Sequence, residues 1–451
     1  MLAHSASLAT ASPTSNRTAV WRDAGLLTAV ALLLRLLYLW LGTREQSLAS
    51  MCMWANDTKN YLSVANFWQS GDPAGAQAML LAGPGYGLVL AALQAMFAGS
   101  MLWPALLLNL LFGCAAPVVV YLLALELTGR RSVALGAGLI SAASVTSLSV
   151  STSILSDQPF FTLHALSILW FVMGWKSGRT RWFVLAGFTA GVATWIRVMG
   201  QVWPLMFAFI ATILILLEPS PRSWFRWGRS LWTPTILLVF VLSWSAYNYA
   251  HHGLFTLTSN GARSAWLYLG ARALAMNTPG LDTETARDQI TAELERQAGL
   301  SRSEVDMYRY SAQRITELAR EHPGWVARAF VHNVKENLQE SNYDLYRQLP
   351  QCKSALDLFT RQARDHLNEW ILLGSLLGLT LLMKEKNHLA WVTLGCTLAV
   401  FTLVTGFSFW QGSRLHYPAE MAWSILLSYC LISAAQWFRR RVQGRHRAEA
   451  A

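Results

Sequence analysis

The sequence predicts an all-α polytopic membrane protein with about ten transmembrane helices, and three observations lead to this fold class. Of its 451 residues, 53% are hydrophobic and only 14% are charged, whereas a soluble protein carries about 25% charged residues. The apolar runs are long and continuous, unlike the short alternating strands of a membrane β-barrel. The 21 Trp residues are typical of helix ends anchored at lipid headgroups. This composition argues against a cytosolic enzyme, a secreted disulfide scaffold, a nucleic-acid-binding domain and a disordered protein.

Ten apolar runs are candidates for spanning helices, each of which needs about 20 residues. Their approximate bounds are 25–42, 103–127, 132–151, 159–175, 182–196, 203–218, 231–249, 369–383, 389–409 and 418–437. They divide the chain into a cytoplasmic tail at 1–24, a transmembrane core at 25–249, an outer segment at 250–368, C-terminal transmembrane helices at 369–437 and a basic cytoplasmic tail at 438–451.

Basic residues recur in every second connection between the predicted spans. They are Arg130 and Arg131, then Lys176, Arg179 and Arg181, then Arg222, Arg226 and Arg229, then Lys384 and Lys386, and finally the cluster from Arg439 to Arg447. Because cytoplasmic loops carry an excess of Lys and Arg, both termini are predicted to be cytoplasmic. The basic residues that orient the protein in the membrane thus account for the net charge of +11, and no nucleic-acid partner is predicted.

Most of the polar residues lie in two predicted outer segments. The first, at 43–102, contains an apolar stretch at 84–98 that is short for a span and predicts a juxtamembrane or re-entrant helix. The second, at 250–368, is predicted to be helical. The cytoplasmic connections are too short for a Rossmann-type nucleotide site, and no P-loop sequence occurs. Any activated substrate is therefore expected to come from the membrane or from the outer compartment.

Two acidic residues lie next to predicted spans on the outer side. Asp57 precedes Tyr61 by four residues, so both side chains share one face of a helix. Asp157 directly precedes a span that has Pro159 near its start. Each acid fits an ordinary position at the start of a helix, and each also fits a carboxylate held above the membrane as a general base. Taken alone, neither residue decides between these interpretations.

Cationic residues also occur at the outer ends of spans. Arg197 ends the fifth span, and Arg414 and His416 lie in the turn before the last one. Such side chains either extend to lipid headgroups or, facing the interior, suit a phosphate group. Arg35 lies within the first span, where a buried charge is costly, and it is expected to pair with a carboxylate inside the bundle.

The order of several motifs resembles the GT-C class of membrane glycosyltransferases, in the branch of bacterial proteins similar to protein O-mannosyltransferases and lipid A aminoarabinose transferases. The matching stretches are Asp57-x-x-x-Tyr61-x-x-x-Ala65, Gly83-Pro84-Gly85-Tyr86, Ser156-Asp157, Thr194-Trp195-Ile196-Arg197, Trp244-x-x-Tyr247-Asn248-Tyr249 and Thr258-Ser259-Asn260-Gly261. Tyr247 stands where the family commonly has Arg, and Asp57 stands alone where the family often has a pair of acids.

The resemblance implies an enzyme that transfers a hexosyl or pentosyl group, with inversion, from a polyprenyl-phosphate donor to an acceptor hydroxyl outside the plasma membrane of a bacterium. The acceptor would be a glycan, a lipid or a protein. The catalytic residues would be Asp57 and Asp157: Asp57 is favoured as the general base, and Asp157 would orient the acceptor or share the base role. The donor phosphate would be bound by Lys59, Arg197, Arg414 and His416, and substrate would be contacted by Tyr61, Tyr86, Asn248 and Asn260. No cofactor is required; a divalent metal is compatible with two acids, but no ligand spacing indicates one.

Two alternative functions remain open from the sequence. A lipid-linked glycan polymerase or ligase would depend on Arg414 and His416 and have little use for Asp57. A flippase or transporter for lipid-linked sugars would show an internal repeat, which is not evident. Among the five cysteines, Cys52 and Cys352 are the two predicted in outer segments, where a disulfide between them is permitted. Two unrelated thiols are the slightly favoured interpretation, because the sequence does not show that the sulfurs meet.

Overall fold

The computed structural model describes residues 13–53, 55–97, 101–298, 303–339, 353–409 and 413–449. All regular secondary structure in these ranges is helical, which confirms the predicted all-α fold class. The first thirteen helices are α1 (Pro13–Glu45), α2 (Leu48–Cys52), α3 (Asn56–Ser70), α4 (Pro73–Ala82), α5 (Gly85–Met96), α6 (Leu102–Thr128), α7 (Arg131–Ala143), α8 (Val145–Ser151), α9 (Asp157–Ser177), α10 (Thr180–Ile196), α11 (Trp203–Leu217), α12 (Pro221–Ser230) and α13 (Trp232–His252).

The remaining helices form the second outer segment and the C-terminal part of the bundle. They are α14 (Asn260–Ser264), α15 (Ala271–Ala275), α16 (Thr283–Ala298), α17 (Glu304–Glu321), α18 (Pro323–Gln339), α19 (Lys353–Lys384), α20 (His388–Val404), α21 (Ser413–His416) and α22 (Glu420–Glu449). A π-helical turn, Ala265–Gly270, joins α14 to α15. The predicted juxtamembrane or re-entrant helix at 84–98 corresponds to α5, and the regular structure in the described parts of the outer segment is helical as expected.

Six helices in the described ranges are long and apolar enough to cross a membrane, or seven if α7 and α8, which meet at a bend of 54°, form one broken span. The predicted count of ten is therefore not confirmed. The other three predicted spans do form helices, namely α9, α10 and α19. Of these, α10 has only 17 residues, and α9 carries the polar residues Gln158 and His164. The first helix begins at Pro13, so it includes half of the predicted N-terminal tail.

The basic connections lie together at one end of the bundle. Arg130 pairs with Glu385 at 2.9 Å, and Lys176 pairs with Glu126 at 2.6 Å. Asp157 stands at the opposite end of α9 from Lys176, and a helix of that length covers about 30 Å. The basic connections and Asp157 therefore lie at opposite ends of the bundle. Assigning the basic face to the cytoplasm remains a prediction from the charge pattern.

The largest apolar core fills the bundle, where α6, α9, α10, α11 and α22 all contribute fully buried side chains. A second, smaller core packs the helices of the outer segment around Trp266. The first outer loop packs closely onto the bundle. A Cβ at Gly85, at the start of α5, would lie 2.6 Å from the Trp195 backbone, so only glycine permits this approach to the end of α10. This packing brings the first outer loop next to Arg197.

Candidate active site

Arg414 joins the two predicted acids. Its Nε and Nη2 donate to the two carboxylate oxygens of Asp157 over 3.0 and 2.9 Å, a bidentate geometry that favours a strong, oriented pair. Nη2 also donates to Asp57 Oδ2 over 2.5 Å. The side chains of Asp157 and Arg414 are 2% and 9% exposed, whereas that of Asp57 is 44% exposed. One buried guanidinium therefore fixes one buried carboxylate and one accessible carboxylate.

Arg197 is the second cation of this cluster. Its Nη1 donates to Asp157 Oδ2 over 3.1 Å and to Ser156 Oγ over 3.3 Å. Burial by itself raises the pKa of the Asp157 carboxyl, but Arg197 and Arg414 outweigh this effect and hold its pKa below the usual range. Asp157 is therefore ionised and has both oxygens occupied by arginines. In this arrangement it orients the cations rather than accepting a proton from a substrate.

The loop before Asp157 is held by side chains that the sequence analysis did not single out. Asn109, buried within α6, donates to the carbonyls of Ser153 and Leu155. Thr58 Oγ1 donates to the Ile154 carbonyl over 3.1 Å. These bonds satisfy backbone groups that would otherwise be unpaired in an apolar setting, where each loss is costly. A signal for Asn109 was available, because it is a lone amide in a long apolar run.

Tyr61 and Tyr86 connect the first outer loop to this loop. The hydroxyls of Tyr61 and Ser156 lie 2.6 Å apart, and burial raises the pKa of Tyr61 to about 12, so the phenol stays protonated at neutral pH. Tyr86 meets Tyr61 edge to face at 4.9 Å and donates to Asn109 Oδ1 over 3.3 Å. Both rings are buried. Tyr86 thus supports the site from behind rather than facing a ligand.

A cavity of about 510 Å³ opens beside the charged cluster. Its polar wall includes Asp57, Tyr61, Arg197 and Asn260, and its apolar wall includes Met199, Val404 and Phe407. The four-residue spacing of Asp57 and Tyr61 does place both on the same helix face, as the sequence predicted. The cavity therefore combines an accessible carboxylate, a guanidinium and an amide on one side with an apolar surface on the other.

Asn260 reaches the cavity because the loop before it is tied to the first outer loop. Thr258 Oγ1 donates to the Leu81 carbonyl over 2.9 Å, and the Ser259 amide donates to the Leu80 carbonyl over 2.7 Å. Asn248 acts one step earlier, since its Nδ2 donates to the Thr256 carbonyl over 2.8 Å. Asn248, which the sequence predicted to contact substrate, is buried and does not line the cavity. It holds the loop that leads to Asn260.

Two predicted phosphate ligands lie elsewhere. His416 is buried and packs against Trp423, with ring centroids 5.6 Å apart, and it does not line the cavity. Lys59 is exposed on α3 and is likewise absent from the cavity wall. Each is two residues from a side chain in the charged cluster, Arg414 and Asp57 respectively. Residues two apart on a helix are rotated by about 200° relative to each other. When Arg414 and Asp57 face the site, His416 and Lys59 therefore point away from it.

Arg35 is fully buried in α1, as expected. The expected carboxylate partner is not found in the described part of the chain: Nη2 donates instead to Ser147 Oγ over 2.7 Å, and Nη1 donates to the Ala31 carbonyl over 3.1 Å. Glu420 accepts from Ser144 Oγ over 2.7 Å. The Ser147 hydroxyl takes the place of the expected carboxylate at Nη2, because α8 turns Ser147 toward Arg35 after the bend. Among the described residues, Arg35 Nε has no hydrogen-bond partner.

The sequence also raised the questions of a disulfide between Cys52 and Cys352 and of a divalent metal held by the two acids. Cys52 is a buried free cysteine in α2, and burial raises the pKa of its thiol to about 12. Cys352, its predicted partner, lies outside the described residues. Within the described ranges, no three His, Cys, Asp or Glu side chains come together as a metal site. The two acids of the site are instead bridged by Arg414.

Comparisons with known proteins point to a common fold. Residues 82–247 match the family model described as dolichyl-phosphate-mannose-protein mannosyltransferase. The apo oligosaccharyltransferase of Archaeoglobus fulgidus is 12% identical with a TM-score of 0.55, covering 94% of this chain and 52% of that one. The oligosaccharyltransferase AglB of the same organism, in complex with an inhibitory peptide and a dolichol-phosphate, is 12% identical with a TM-score of 0.51, covering 93% and 52%.

ArnT from Cupriavidus metallidurans, bound to undecaprenyl phosphate, is 14% identical with a TM-score of 0.40, covering 89% of this chain and 77% of that one. No curated protein sequence is significantly similar to this chain. The chain spans about half the length of the archaeal structures it matches. The family match and the archaeal structures confirm the predicted resemblance: the chain has the fold of the GT-C class of membrane glycosyltransferases.

Proposed function

Starting from the GT-C fold, we propose that this chain is a glycosyltransferase. It transfers one hexosyl or pentosyl group from a polyprenyl-phosphate donor to an acceptor hydroxyl, at the outer face of a bacterial plasma membrane. The observation that carries the proposal is the cluster of Asp57, Asp157, Arg197 and Arg414 beside the cavity. The dolichyl-phosphate donor in the name of the matched family and the dolichol-phosphate bound to AglB support a lipid-linked donor.

Asp57 is the general base in this proposal. It is the carboxylate of the cluster that lines the cavity and remains accessible. As the acceptor oxygen attacks the anomeric carbon, Asp57 takes its proton, and the bond from that carbon to the phosphate oxygen breaks with inversion. Arg414 keeps the carboxylate in place through its 2.5 Å hydrogen bond. Geometry of this kind is what allows a positioned base to act in the transition state.

The departing polyprenyl phosphate gains negative charge, and Arg197 stabilises it. Arg197 lines the cavity and uses Nη1 for Ser156 and Asp157, and a guanidinium has further donors that suit phosphate oxygens. Asp157 fixes the positions of the Arg197 and Arg414 guanidinium groups relative to each other. Asn260 and Tyr61 provide polar contacts for the sugar, and the apolar wall accommodates the adjoining lipid. His416 and Lys59 have no part in this version of the site.

Donor consumption by the purified protein tests the proposal. The protein in detergent or nanodiscs is incubated with a panel of polyprenyl-phosphate hexoses and pentoses, and release of polyprenyl phosphate is measured by mass spectrometry. Release that depends on an added glycan, lipid or protein acceptor supports a transferase. Elongation of an oligosaccharide on its lipid carrier would indicate a polymerase or ligase instead. Movement of intact donor across vesicles without release would indicate a transporter.

A further inference from the structure

Two hydrogen-bonded links join the start of α9 to the turn that carries Arg414. The first is the pair of Asp157 with Arg414. The second is parallel to it: the Tyr417 hydroxyl donates to Gln158 Oε1 over 2.7 Å. Gln158 follows Asp157 directly, and Tyr417 follows Arg414 by three residues, about one helical turn. Gln158 and Tyr417 are 0% and 2% exposed. The turn is therefore attached to α9 at two points, only one of which is an ion pair.

The Tyr417 hydroxyl also belongs to a buried polar group further inside the bundle. It lies 3.1 Å from Ser147 Oγ, the same oxygen to which Arg35 donates over 2.7 Å. Arg35 fits there because α6 has a glycine at the point of contact, and a Cβ at Gly113 would lie 2.4 Å from Arg35 Nε. Tyr417 thereby connects α1, α8 and α9 to the turn of Arg414.

The hydroxyl of Tyr417 has a role separable from that of its ring. The ring stacks on Phe161 with centroids 4.4 Å apart, and phenylalanine would preserve this packing. Polar groups are costly inside an apolar bundle unless they are hydrogen-bonded, and a hydrogen bond is strong only over a narrow range of directions. The hydroxyl thus adds directional constraint at the place where Arg414 must reach both Asp57 and Asp157.

We infer that Tyr417 is a positioning residue: its hydroxyl, bonded to Gln158 and adjoining Ser147 and Arg35, sets the turn so that Arg414 holds Asp57 at the cavity. The inference rests on the proposed function for its link to catalysis, whereas the structural coupling of Tyr417 to Arg414 stands apart from it. Loss of the hydroxyl removes one of the two hydrogen-bonded links between the turn and the start of α9 and leaves the pair of Arg414 with Asp157. The base then samples unproductive positions, which reduces turnover more than donor binding.

The test is a double-mutant cycle of Tyr417→Phe and Arg414→Lys, with Tyr121→Phe as the matched control. Tyr121 is also fully buried, and its hydroxyl donates to Asp23 at the opposite end of the bundle. We expect Tyr417→Phe to lower kcat about tenfold with a donor KM within about twofold of wild type, and Tyr121→Phe to leave both unchanged. In the Arg414→Lys background, Tyr417→Phe should cost less than about threefold, because residues that act as a unit are not additive.

Equal effects of Tyr417→Phe in both backgrounds, or a wild-type kcat, would overturn the inference. Thermal unfolding of the same four proteins separates this result from a failure of the proposed function. If wild-type protein releases no polyprenyl phosphate, the proposed function is wrong. The coupling of Tyr417 to Arg414 is then tested by comparing the Tm values of the wild type, the two single variants and the double variant. A non-additive change in Tm supports the coupling of Tyr417 to Arg414, and additive changes reject it.

Discussion

Asp57 and Arg414 are separated by 357 positions in the chain, yet Arg414 Nη2 lies 2.5 Å from Asp57 Oδ2. This hydrogen bond closes the candidate site between the first outer loop and the turn before the last span. Because the same guanidinium also holds buried Asp157, the position of the accessible acid depends on residues from three distant parts of the sequence.

Asp57→Asn should abolish most turnover. The amide has nearly the same shape but cannot accept a proton, so the release of polyprenyl phosphate should fall about 10²- to 10⁴-fold while the protein elutes as a monodisperse peak. Asp288→Asn is the matched control, since Asp288 is an exposed acid of α16 in the outer segment. Activity of Asp57→Asn within a few-fold of the control would remove Asp57 from the role of base.

Arg197→Lys should weaken the site even though the charge is retained. Lysine lacks the planar fork that can contact Asp157 and a phosphate together, so we expect kcat/KM to fall by about 10- to 100-fold, or about 1–3 kcal/mol of transition-state stabilisation. His416→Gln should retain activity within about threefold, because His416 packs against Trp423 away from the cavity. A larger loss for His416→Gln than for Arg197→Lys would contradict this arrangement and favour the ligase interpretation.

Asp157 should contribute stability that depends on pH. Its pKa is lowered in the folded protein: burial opposes ionisation, but Arg197 and Arg414 outweigh it. The contribution is therefore fully present above the unfolded pKa of about 4 and is lost as the pH falls toward the lower folded value. Asp157→Asn leaves Arg414, which is buried, and Arg197, which is partly buried, without the carboxylate that they share, which costs about 3–5 kcal/mol.

We expect the Tm of Asp157→Asn in detergent to be well below that of wild type at pH 7, and the difference to narrow below pH 4. Asp288→Asn should follow wild type throughout this range. A Tm difference between wild type and Asp157→Asn that is constant from pH 7 to pH 3 would show that the carboxylate charge is not the cause.

Cysteine labelling tests the orientation. Single cysteines are introduced at Ser70, Thr278 and Ser177, which are exposed, in a Cys352→Ser background. These positions are chosen over the nearby Gly178 and Gly280, because the glycines have φ of 66° and 77°, where a side chain would be strained. An impermeant maleimide added to intact cells should label the cysteines at 70 and 278 and should label the one at 177 only after permeabilisation. Labelling at 177 in intact cells would reverse the proposed topology.

The sequence by itself determined the helical membrane fold, the α5 helix, and the separation of basic connections from outer acids. These are local properties, because the length of an apolar run and the charge of a loop are read along the chain. It also placed Asp57 and Tyr61 on one face, since a spacing of four fixes their relative direction within α3.

Only the tertiary structure decided which charged residues meet. Arg414 and His416 look equivalent in the sequence, but within one short helix they point in different directions, so Arg414 reaches the acids and His416 enters the core. Asp157 resembles a second base in the sequence, but in the structure its carboxylate is paired with two arginines. Such roles depend on contacts between segments hundreds of residues apart, and local spacing carries no information about those distances.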